Sequence, residues 1–444
     1  MAGIVIRFIL LPFFEVGYDS DCWATIIRNL ESGYGLYDLE GYFYTPPWGY
    51  MLSVMAALQE MFLNIDVMGI RLPEAFVIEG YSKWFSSMVT SVEFNVWMKA
   101  PFIISDLLVG YLVYWIIKDK TSDMRKATIG FALWFLCPLT IGLTSVSGMF
   151  DTYSVLFFLL CVIMLRKDKL FLAGILFSFA VLMKFFPVFL IFLLLVYILV
   201  KHRSDGKAMR SIILAMSGAL LAAVVLLFPQ IINGELMETL TFMTSRAGVG
   251  LSDPSLWDQI VSKGAVITYV GVLIAGLFIA YKVRLMDPER IDDNFFKYAL
   301  LTLSFVYLYP PAPQYLLLII PFLAIYLVTA DHRFKLSWLL ISLGGALFIC
   351  SNNFTLLLSA AVFTDLISIE YVMSMIESFF TSFIADISVR SIMYYGAGAL
   401  QYIGVISVIV LFYIGWRKKD GTKGSEETIH DPNVDKVIVT DNDR

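Results

Sequence analysis

The sequence predicts an all-α, polytopic integral membrane protein with about 12 transmembrane helices, and three observations support this prediction. Hydrophobic residues make up 59% of the 444 positions, charged residues make up only 16%, and the mean hydropathy is +0.78. A soluble domain carries about 25% charged residues, so this chain has too little polar surface to cover a soluble core. The charges that are present lie in short clusters between long apolar runs.

These apolar runs are the predicted membrane spans, with ends placed to within several residues. The region from 149 to 201 is almost continuously apolar, so it must fold back at Arg166–Lys169 and near Lys184–Pro187. The predicted spans are 2–17, 96–117, 127–147, 150–165, 169–186, 188–201, 211–229, 264–281, 297–309, 313–330, 335–350 and 392–416.

The placement of lysine and arginine predicts the orientation, because cytoplasmic loops are enriched in both. With the N terminus inside, 24 of the 32 basic residues fall in inner loops, in the tail or, for Arg7, near the inner end of the first span. This bias places both termini in the cytoplasm. The basic residues left outside are Arg28, Arg71, Lys83, Lys99, Lys184, Arg246, Lys263 and Arg390.

Three outer segments and a polar tail follow from this topology. They are the segments 18–95, 230–262 and 352–391, and the tail 417–444, which is predicted to be disordered in the cytoplasm. Within the first, Pro47–Leu63 is interrupted by polar residues and predicts a helix lying at the membrane interface. A hairpin of two spans within 47–95 is the alternative, which the charges there disfavour. The third segment is apolar enough to hold another helical hairpin.

The histidine and cysteine content argues against a metal centre and against a dense disulfide framework. The chain has three histidines, and its four cysteines (Cys22, Cys137, Cys161 and Cys350) show no metal-binding spacing. No metal and no cofactor are therefore expected. Met1–Phe14 lacks a small-residue cleavage site and is interpreted as the start of the first span rather than a signal peptide.

Acidic residues occur at two places on the predicted outer side. Asp19-Ser20-Asp21 directly follows the first span, and a carboxylate there could act as a general base if desolvation raised its pKa. Asp151 stands where a later span begins. Aspartate and serine are also good helix N-caps, and an aspartate complements the helix dipole, so a structural role stays open at both places.

Basic residues provide the third feature, and a proline-rich turn provides the fourth. Lys184 closes an apolar run just before Pro187, so it either reaches towards water or faces an anionic lipid head group. Arg246 and Lys263 could serve the same purpose. The stretch Tyr309–Tyr315 has three prolines within four residues and predicts a rigid turn between two spans.

Lys99 and Asp106 share the second predicted span. They are seven residues apart, which places them on one helix face but about two turns from each other, too far for an easy direct pair. Asp106 lies well inside the apolar run, and by default such a residue is functional or belongs to a buried pair.

Taken in order, these motifs resemble the GT-C superfamily of membrane glycosyltransferases over about residues 1–330. The first outer segment carries an acidic motif followed by an aromatic residue, a glycine, a tyrosine and an aromatic-x-Pro-Pro element. Later spans carry a Gly-x-Phe-Asp, a Lys-x-x-Pro and a Gln-Tyr element, and the second span is also similar. The matching residues are Asp19-Ser20-Asp21, Trp23, Gly33, Tyr37, Tyr44-Thr45-Pro46-Pro47, Lys99-Ala100-Pro101, Asp106, Gly148-Met149-Phe150-Asp151, Lys184-Phe185-Phe186-Pro187 and Gln314-Tyr315.

The resemblance implies an inverting transfer of a sugar, mannose by the branch it looks most like, from a polyprenyl-phosphate donor to a lipid-linked or glycan acceptor. Asp19 aligns best with the catalytic base of that superfamily, but Asp21 is a second acid where many relatives have one, so the assignment is open. Lys184, with Arg246 and Lys263, would hold the donor phosphate. Asp151, Lys99, Asp106, Gln314 and Tyr315 are further site candidates.

Two other classes of function fit the sequence less well. A secondary transporter would show paired halves and midplane breaks, whereas this sequence shows no paired halves and its acids cluster at the outer lip. A lipid-linked oligosaccharide polymerase, ligase or flippase would concentrate arginine on an outer loop. The expected partners are the lipid donor, the acceptor and membrane lipids, with no nucleic acid. The short loops favour a prokaryotic plasma membrane, an archaeal one included, with the active site extracytoplasmic.

Overall fold

The computed structural model is all-α over the residues it describes, apart from two short two-stranded ladders. The described residues are 1–38, 42, 44–62, 69–71, 88–237, 239, 256–308, 313–353, 355–384 and 387–426. The second outer segment therefore lies largely outside the described residues.

Helices of very different lengths follow one another along the chain, with short turns and strands between them. The α-helices are α1 Ala2–Phe13, α2 Gly17–Glu31, α3 Pro46–Phe62, α4 Val92–Thr121, α5 Met124–Phe135, α6 Pro138–Ile141, α7 Asp151–Arg166, α8 Leu170–Met183, α9 Ile191–Lys201, α10 Ala208–Asn233, α11 Leu256–Arg284, α12 Pro288–Val306, α13 Ile319–Thr329, α14 Lys335–Asn352, α15 Leu358–Phe363, α16 Ile369–Thr381 and α17 Val389–Glu426. A π-helical stretch covers Gly142–Val146, and 3₁₀ turns cover Phe186–Leu190, Pro313–Leu318 and His332–Phe334. The strands are β1 Gly69–Arg71, β2 Met88–Thr90, β3 Phe383–Ile384 and β4 Ile387–Ser388.

Helices occupy the predicted spans, but the first ends at Phe13 rather than at 17, and proline residues divide one span and shorten another. The predicted span 127–147 is α5 followed by α6 and the π-helical stretch, because Pro138 lacks an N–H and starts a new helix. The two halves are bent by 45°. The predicted span 169–186 ends at Met183, because Pro187 has no N–H to bond the Met183 carbonyl and its ring would clash with that carbonyl in a continuous helix.

Only some of these helices are long and apolar enough to cross a membrane. Among the described residues, four helices are long and apolar enough to cross a membrane, and a fifth counts if the bent pair is one span. The four are Val92–Thr121, Ala208–Asn233, His332–Ser351 and Val389–Arg417. Shorter apolar helices cover Ala2–Phe13, Leu170–Met183, Phe186–Lys201 and Gln314–Thr329. The total of about 12 spans stays a prediction.

The outer segments contain helices of their own. The predicted interfacial helix Pro47–Leu63 corresponds to α3, and α2 precedes it. Strands β1 and β2 pair antiparallel around residues 72–87. Residues 63–68 and 72–87 lie outside the described residues, so the alternative hairpin within 47–95 stays a prediction. The third outer segment holds α15, α16 and the ladder of β3 with β4.

The predicted disordered tail, 417–444, overlaps the end of α17, which runs to Glu426. The disorder of the tail stays a prediction. Residues 427–444 lie outside the described residues.

Burial separates the inner helices of the bundle from the outer ones. Helix α13 is buried on nearly every side, whereas α10 exposes Ile213, Leu220 and Val225. A bundle that faces lipid requires both kinds of helix: one that is apolar on every side in its core, such as α13, and one that exposes apolar side chains at its rim, such as α10. Helices α8 and α10 approach closely: a Cβ on Gly218 would lie 2.0 Å from the carbonyl oxygen of Phe171.

Candidate functional site

Lys184 stands at the break after α8. It is the C-cap of that helix, with extended backbone angles of φ −150° and ψ 133°. The 3₁₀ turn that follows contains Pro187, which prevents the helix from continuing. The lysine side chain is 8% exposed. The Lys-x-x-Pro element thus turns an ammonium group inward at the end of a helix.

Three aromatic rings and one carboxylate surround this ammonium group. Its Nζ lies 3.3 Å from Asp151 Oδ2. It also lies 4.5 Å from the ring centre of Phe150, 4.8 Å from that of Tyr44 and 5.6 Å from that of Tyr315. Cations are attracted to aromatic faces at these distances, and more strongly where water is excluded. We call this arrangement the Lys184 cage.

A narrow cleft opens beside the cage, with internal space for about one water molecule. Its polar lining consists of Asp151, Ser154, Lys184, Gln314 and Tyr315. The ring of Phe186 stacks on Tyr315 with centroids 4.3 Å apart and closes one wall. The structure therefore brings together three segments that are far apart in sequence: the start of α7, the end of α8 and the turn before α13.

The first outer segment reaches the cage through its aromatic residues. Trp48, in the first turn of α3, stacks on Phe150 at 4.4 Å with the ring planes 7° apart. Trp23 of α2 lies 5.4 Å from Tyr44 and 5.9 Å from Phe150. The Thr45 hydroxyl donates to the carbonyl oxygen of Leu182, two residues before Lys184. The aromatic-x-Pro-Pro element is thus fixed against the end of α8.

Asp19 and Asp21 lie in the first part of α2, and both are half-buried. The alternative that one of them or Ser20 caps this helix is wrong, because the N-cap is Val16 and makes no side-chain cap bond. Asp21 accepts a hydrogen bond from the Thr25 hydroxyl at 3.3 Å. Trp23 is one turn from Asp19, so the helix that carries the acids is the helix that packs against the cage.

Asp151 is likewise not a helix cap. Phe150 is the N-cap of α7 and makes no side-chain cap bond, while Asp151 is the first helical residue. There its charge complements the helix dipole and pairs with Lys184. Gly148, three residues earlier, has φ +68°, and a Cβ there would lie 3.3 Å from Lys99 Cε. The Gly-x-Phe-Asp element therefore needs its glycine for a turn and for close packing.

Lys99 bonds the end of α1, and its place among the site candidates stays a prediction. Its Nζ donates to the carbonyl oxygens of Phe14 and, at 3.4 Å, Leu11, and the residue is 1% exposed. These are carbonyls at the end of α1, where a helix leaves its last acceptors unpaired and favours a cation. Lys99 joins α4 to the end of α1.

Asp106 was predicted to be either a functional residue or a member of a buried pair. In the structure it belongs to a buried pair. Its Oδ2 accepts from Arg7 Nη2 at 2.9 Å and from the Thr144 hydroxyl at 2.7 Å, and its Oδ1 accepts from the Thr152 hydroxyl at 2.9 Å. Both charged side chains are 0% exposed. Arg7 also donates to the Phe135 carbonyl oxygen and lies 4.0 Å from the Phe135 ring centre. This network fastens α1, α4, α5, α7 and the π-helical stretch together.

Some predicted residues cannot be placed. Arg246 and the proline turn at 309–312 lie outside the described residues, and Lys263 lies on α11 with its side chain outside them. Within the part of the chain that is described, no group of three or more His, Cys, Asp or Glu residues could hold a metal ion.

Sequence reasoning missed two kinds of contributor. Tyr44 and Phe150 were part of recognised motifs, yet their role as rings against Lys184 was not predicted. Two signals could have indicated this role: Tyr44 stands just before a Pro-Pro element, and Phe150 stands just before the aspartate that starts a helix. Glu15, a single acid at the end of the first apolar run, was also overlooked, and it is buried.

Comparisons with known proteins give one family match. Residues 74–256 match the family described as "GPI transamidase subunit PIG-U", which is less than half of the chain. The matched part includes Asp151 and Lys184 but neither Asp19 nor Gln314. The match covers one part of the chain, and membership of the GT-C superfamily stays the expectation that the motifs give.

Two solved structures show a weaker likeness. ArnT from Cupriavidus metallidurans bound to undecaprenyl phosphate is 14% identical, with a TM-score of 0.44 over 91% of this chain and 76% of that chain. ArnT from the same organism in the apo state is 15% identical, with a TM-score of 0.45 over 92% and 74%. Likeness at this level supports no conclusion about activity or substrate. No curated protein matches the chain.

Proposed function

We propose that this protein is an inverting glycosyltransferase. It moves a sugar, which the motif resemblance favours as mannose, from a polyprenyl-phosphate donor to a lipid-linked or glycan acceptor on the non-cytoplasmic side. The observation that carries the proposal is the Lys184 cage, in which motif residues from four segments of the chain meet around one buried ammonium group.

The cage suits a lipid phosphate for two physical reasons. The ammonium group is a point charge in a poorly hydrated place, where its attraction for an anion is stronger than in water. A polyprenyl chain dissolves in the bilayer, so its phosphate arrives at the end of an apolar helix such as α8. The Asp151 partner and the rings hold Lys184 in place before the donor binds.

The acids of α2 complete the chemistry. Asp19 or Asp21 takes the proton from an acceptor hydroxyl while that oxygen forms a bond to the anomeric carbon. The bond from the anomeric carbon to the phosphate oxygen breaks, and its electron pair stays on the lipid phosphate. Attack from the face opposite the leaving group inverts the anomeric configuration. The polyprenyl phosphate is a stable anion, so no acid is needed to protonate it.

Replacing Lys184 tests the proposal. Lys184→Met keeps the length of the side chain but removes the cation, and we expect it to lower transfer and donor affinity by about 10²-fold, as the loss of one preorganised charge does. Lys184→Arg should retain part of both. The measurement uses purified protein, polyprenyl-phospho-mannose and an acceptor lipid extract.

Lys167→Met is the matched control. Lys167 also lies over an aromatic ring, 4.8 Å from the centre of Trp115, but at the opposite end of α8 from Lys184. Its loss should leave transfer unchanged. Transfer by Lys184→Met at the wild-type rate, or no transfer by the wild type with any polyprenyl-phospho-sugar, contradicts the proposal.

A second candidate function rests on the match of residues 74–256 to the PIG-U family. The protein would then recognise a lipid-linked glycan as a subunit of a larger transferase, without transferring sugar itself. In that case the wild type binds a lipid-linked glycan but shows no transfer, and Asp19→Asn leaves the binding unchanged. Lys184→Met weakens binding under both functions, so the transfer assay separates them.

A further inference from the structure

Glu15 occupies the short connection between α1 and α2 and has no exposed surface. Its Oε2 accepts a hydrogen bond from the Thr90 backbone N–H at 2.9 Å, and it also lies within hydrogen-bond distance of the Thr90 hydroxyl. Its other oxygen, Oε1, has no hydrogen-bond partner among the described residues. A buried carboxylate with an unpaired oxygen is costly, whereas a neutral carboxyl is much less so.

Backbone contacts attach the same connection to the third outer segment. The Glu15 N–H donates to the Leu356 carbonyl oxygen at 3.0 Å, and the Gly17 N–H donates to the Thr355 hydroxyl oxygen at 3.1 Å. Gly17 is the first residue of α2. The position of the first turn of α2, which carries Asp19, is therefore set by residues 15–17 and their partners.

The number of protons available to the hydrogen bonds around the Thr90 hydroxyl indicates that Glu15 is protonated. The Thr90 hydroxyl oxygen lies 3.0 Å from Asn95 Oδ1 as well as close to Glu15 Oε2, but one hydroxyl has one proton to donate. The Asn95 Nδ2 donates to the Ser359 hydroxyl oxygen at 2.9 Å and to the Pro12 carbonyl oxygen at 3.3 Å. Because a carbonyl oxygen only accepts, Oδ1 is the atom that faces Thr90. With an ionised Glu15, two acceptors would compete for that proton.

A proton on Glu15 Oε2 closes the chain of hydrogen bonds. Glu15 then donates to the Thr90 hydroxyl, Thr90 donates to Asn95 Oδ1, Asn95 donates to Ser359, and the Ser359 hydroxyl donates to the Thr90 carbonyl oxygen at 2.9 Å. Each hydroxyl donates once. We call this set of residues the Glu15 clamp.

The surroundings of Glu15 favour its neutral form near neutral pH. Burial raises the pKa of Glu15 from 4.5 to about 7. The bonds from Thr90 and the Lys99 ammonium lower the pKa, and the Asp21 carboxylate raises it slightly. Lys99 on α4 and Asp21 on α2 are the charged groups that act on Glu15.

We propose that Glu15 is a positioning residue, which closes the clamp in its protonated form and so holds the first turn of α2, with Asp19 and Asp21, against α4 and the third outer segment. The consequence for sugar transfer rests on the proposed function, whereas the clamp itself does not. Because the native state holds this proton more tightly than the unfolded chain, its stabilising effect is full below pH 4.5 and is lost as the pH rises through 7.

The native Cys22, half-buried on α2, reports on the clamp without any substrate. In a Cys350→Ser background the remaining cysteines, Cys137 and Cys161, are buried, so a small methanethiosulfonate reagent labels Cys22. Glu15→Ala is expected to raise its labelling rate about tenfold at pH 6.5, the effect of one lost buried hydrogen bond on a local opening. Glu93→Gln, which neutralises an exposed acid of α4, is the control and should label like the wild type.

Glu15→Gln is the decisive variant, because its amide imitates the protonated acid. Glu15 Oε2 meets both the Thr90 N–H and the Thr90 hydroxyl, so the NH₂ of the variant takes its place, donates to the hydroxyl at every pH and gives up the bond from the N–H. We expect Glu15→Gln to label more slowly than Glu15→Ala at pH 6, and more slowly than the wild type at pH 8, where Glu15 ionises and the clamp loosens. The labelling rate also depends on how much of Cys22 is thiolate at a given pH. Comparing wild type and variant at the same pH removes this contribution, because both proteins share it.

The outcomes separate the clamp from the transferase. Glu15→Ala labelling at the wild-type rate, or Glu15→Gln labelling as fast as Glu15→Ala at pH 6, overturns the clamp. If transfer occurs, the wild-type kcat should fall above pH 7 and that of Glu15→Gln should not. If transfer is absent in every variant, the proposed function fails, while the labelling rates still decide whether the clamp exists.

Discussion

Asp19→Asn or Asp21→Asn, whichever removes the base, is expected to lower kcat for sugar transfer by about 10²–10⁴-fold, the usual contribution of a general base. Asparagine keeps the size and most of the hydrogen-bonding geometry of aspartate but cannot take a proton. The other variant should lose much less. One substitution at each position therefore settles which acid of the pair acts, a question that the sequence leaves open.

The division of the effect between kcat and KM distinguishes a base from a binding group. A base acts in the transition state, so its loss lowers kcat and kcat/KM together and leaves donor affinity unchanged. The wild-type rate should also fall at low pH, where the base becomes protonated, and the asparagine variant should lose that dependence. Both are measured by initial rates over a pH series at saturating donor.

Glu31→Gln is a suitable control, because Glu31 is an exposed acid at the opposite end of the same helix. It should transfer sugar at nearly the wild-type rate. Wild-type kcat in both the Asp19 and the Asp21 variant would exclude this pair as the base. A rise in KM with kcat unchanged would instead make the acids acceptor-binding groups.

Local sequence patterns predicted the helices of this fold better than they predicted its side-chain contacts. A helix lies at each predicted span, because a helix that faces lipid must be built from consecutive apolar residues, and such a run is visible in the sequence. The fold-back near Lys184–Pro187 was predicted, whereas the break at Pro138, which the missing N–H of proline could have indicated, was not.

Pairing between distant segments could not be read in the same way. Lys99 was a further site candidate because Lys99-Ala100-Pro101 resembles the second span of the superfamily, and its bonds to carbonyls at the end of α1 were not predicted. The partner of Asp106 is Arg7, 99 residues away, and no periodicity links the two. The order of motifs did predict that Asp151, Lys184 and Gln314 belong to one site, but the ring contacts of Tyr44 and Phe150 depend on packing.

Asp106→Ala is expected to destabilise the protein by about 3–5 kcal/mol, because it leaves the buried Arg7 charge without its partner. Arg7 and Asp106 are both 0% exposed, and Asp106 lies within a helix that is apolar and long enough to span a membrane. An unpaired charge there has neither water nor a counterion nearby. The measurement is thermal unfolding in detergent, followed by circular dichroism.

A matched pair at the surface provides the control. Arg166 and Asp119 are joined at 3.1 Å, but the Asp119 side chain is 46% exposed, so Asp119→Ala should change stability by about 1 kcal/mol or less. If Asp106→Ala is no more destabilising than Asp119→Ala, the network around Asp106 does not hold the bundle.

Replacing both members of the buried pair tests the physical cause. The double variant Arg7→Met with Asp106→Leu removes both charges and fills the space with apolar atoms, so it should recover most of the stability lost in Asp106→Ala. The hydroxyls of Thr144 and Thr152 then lose their shared acceptor, although the Thr144 hydroxyl can still donate to the Thr140 carbonyl oxygen at 2.9 Å. Recovery in the double variant identifies the unpaired Arg7 charge as the cause of the loss. A double variant as unstable as the single one assigns the loss to the hydrogen bonds of Asp106 instead.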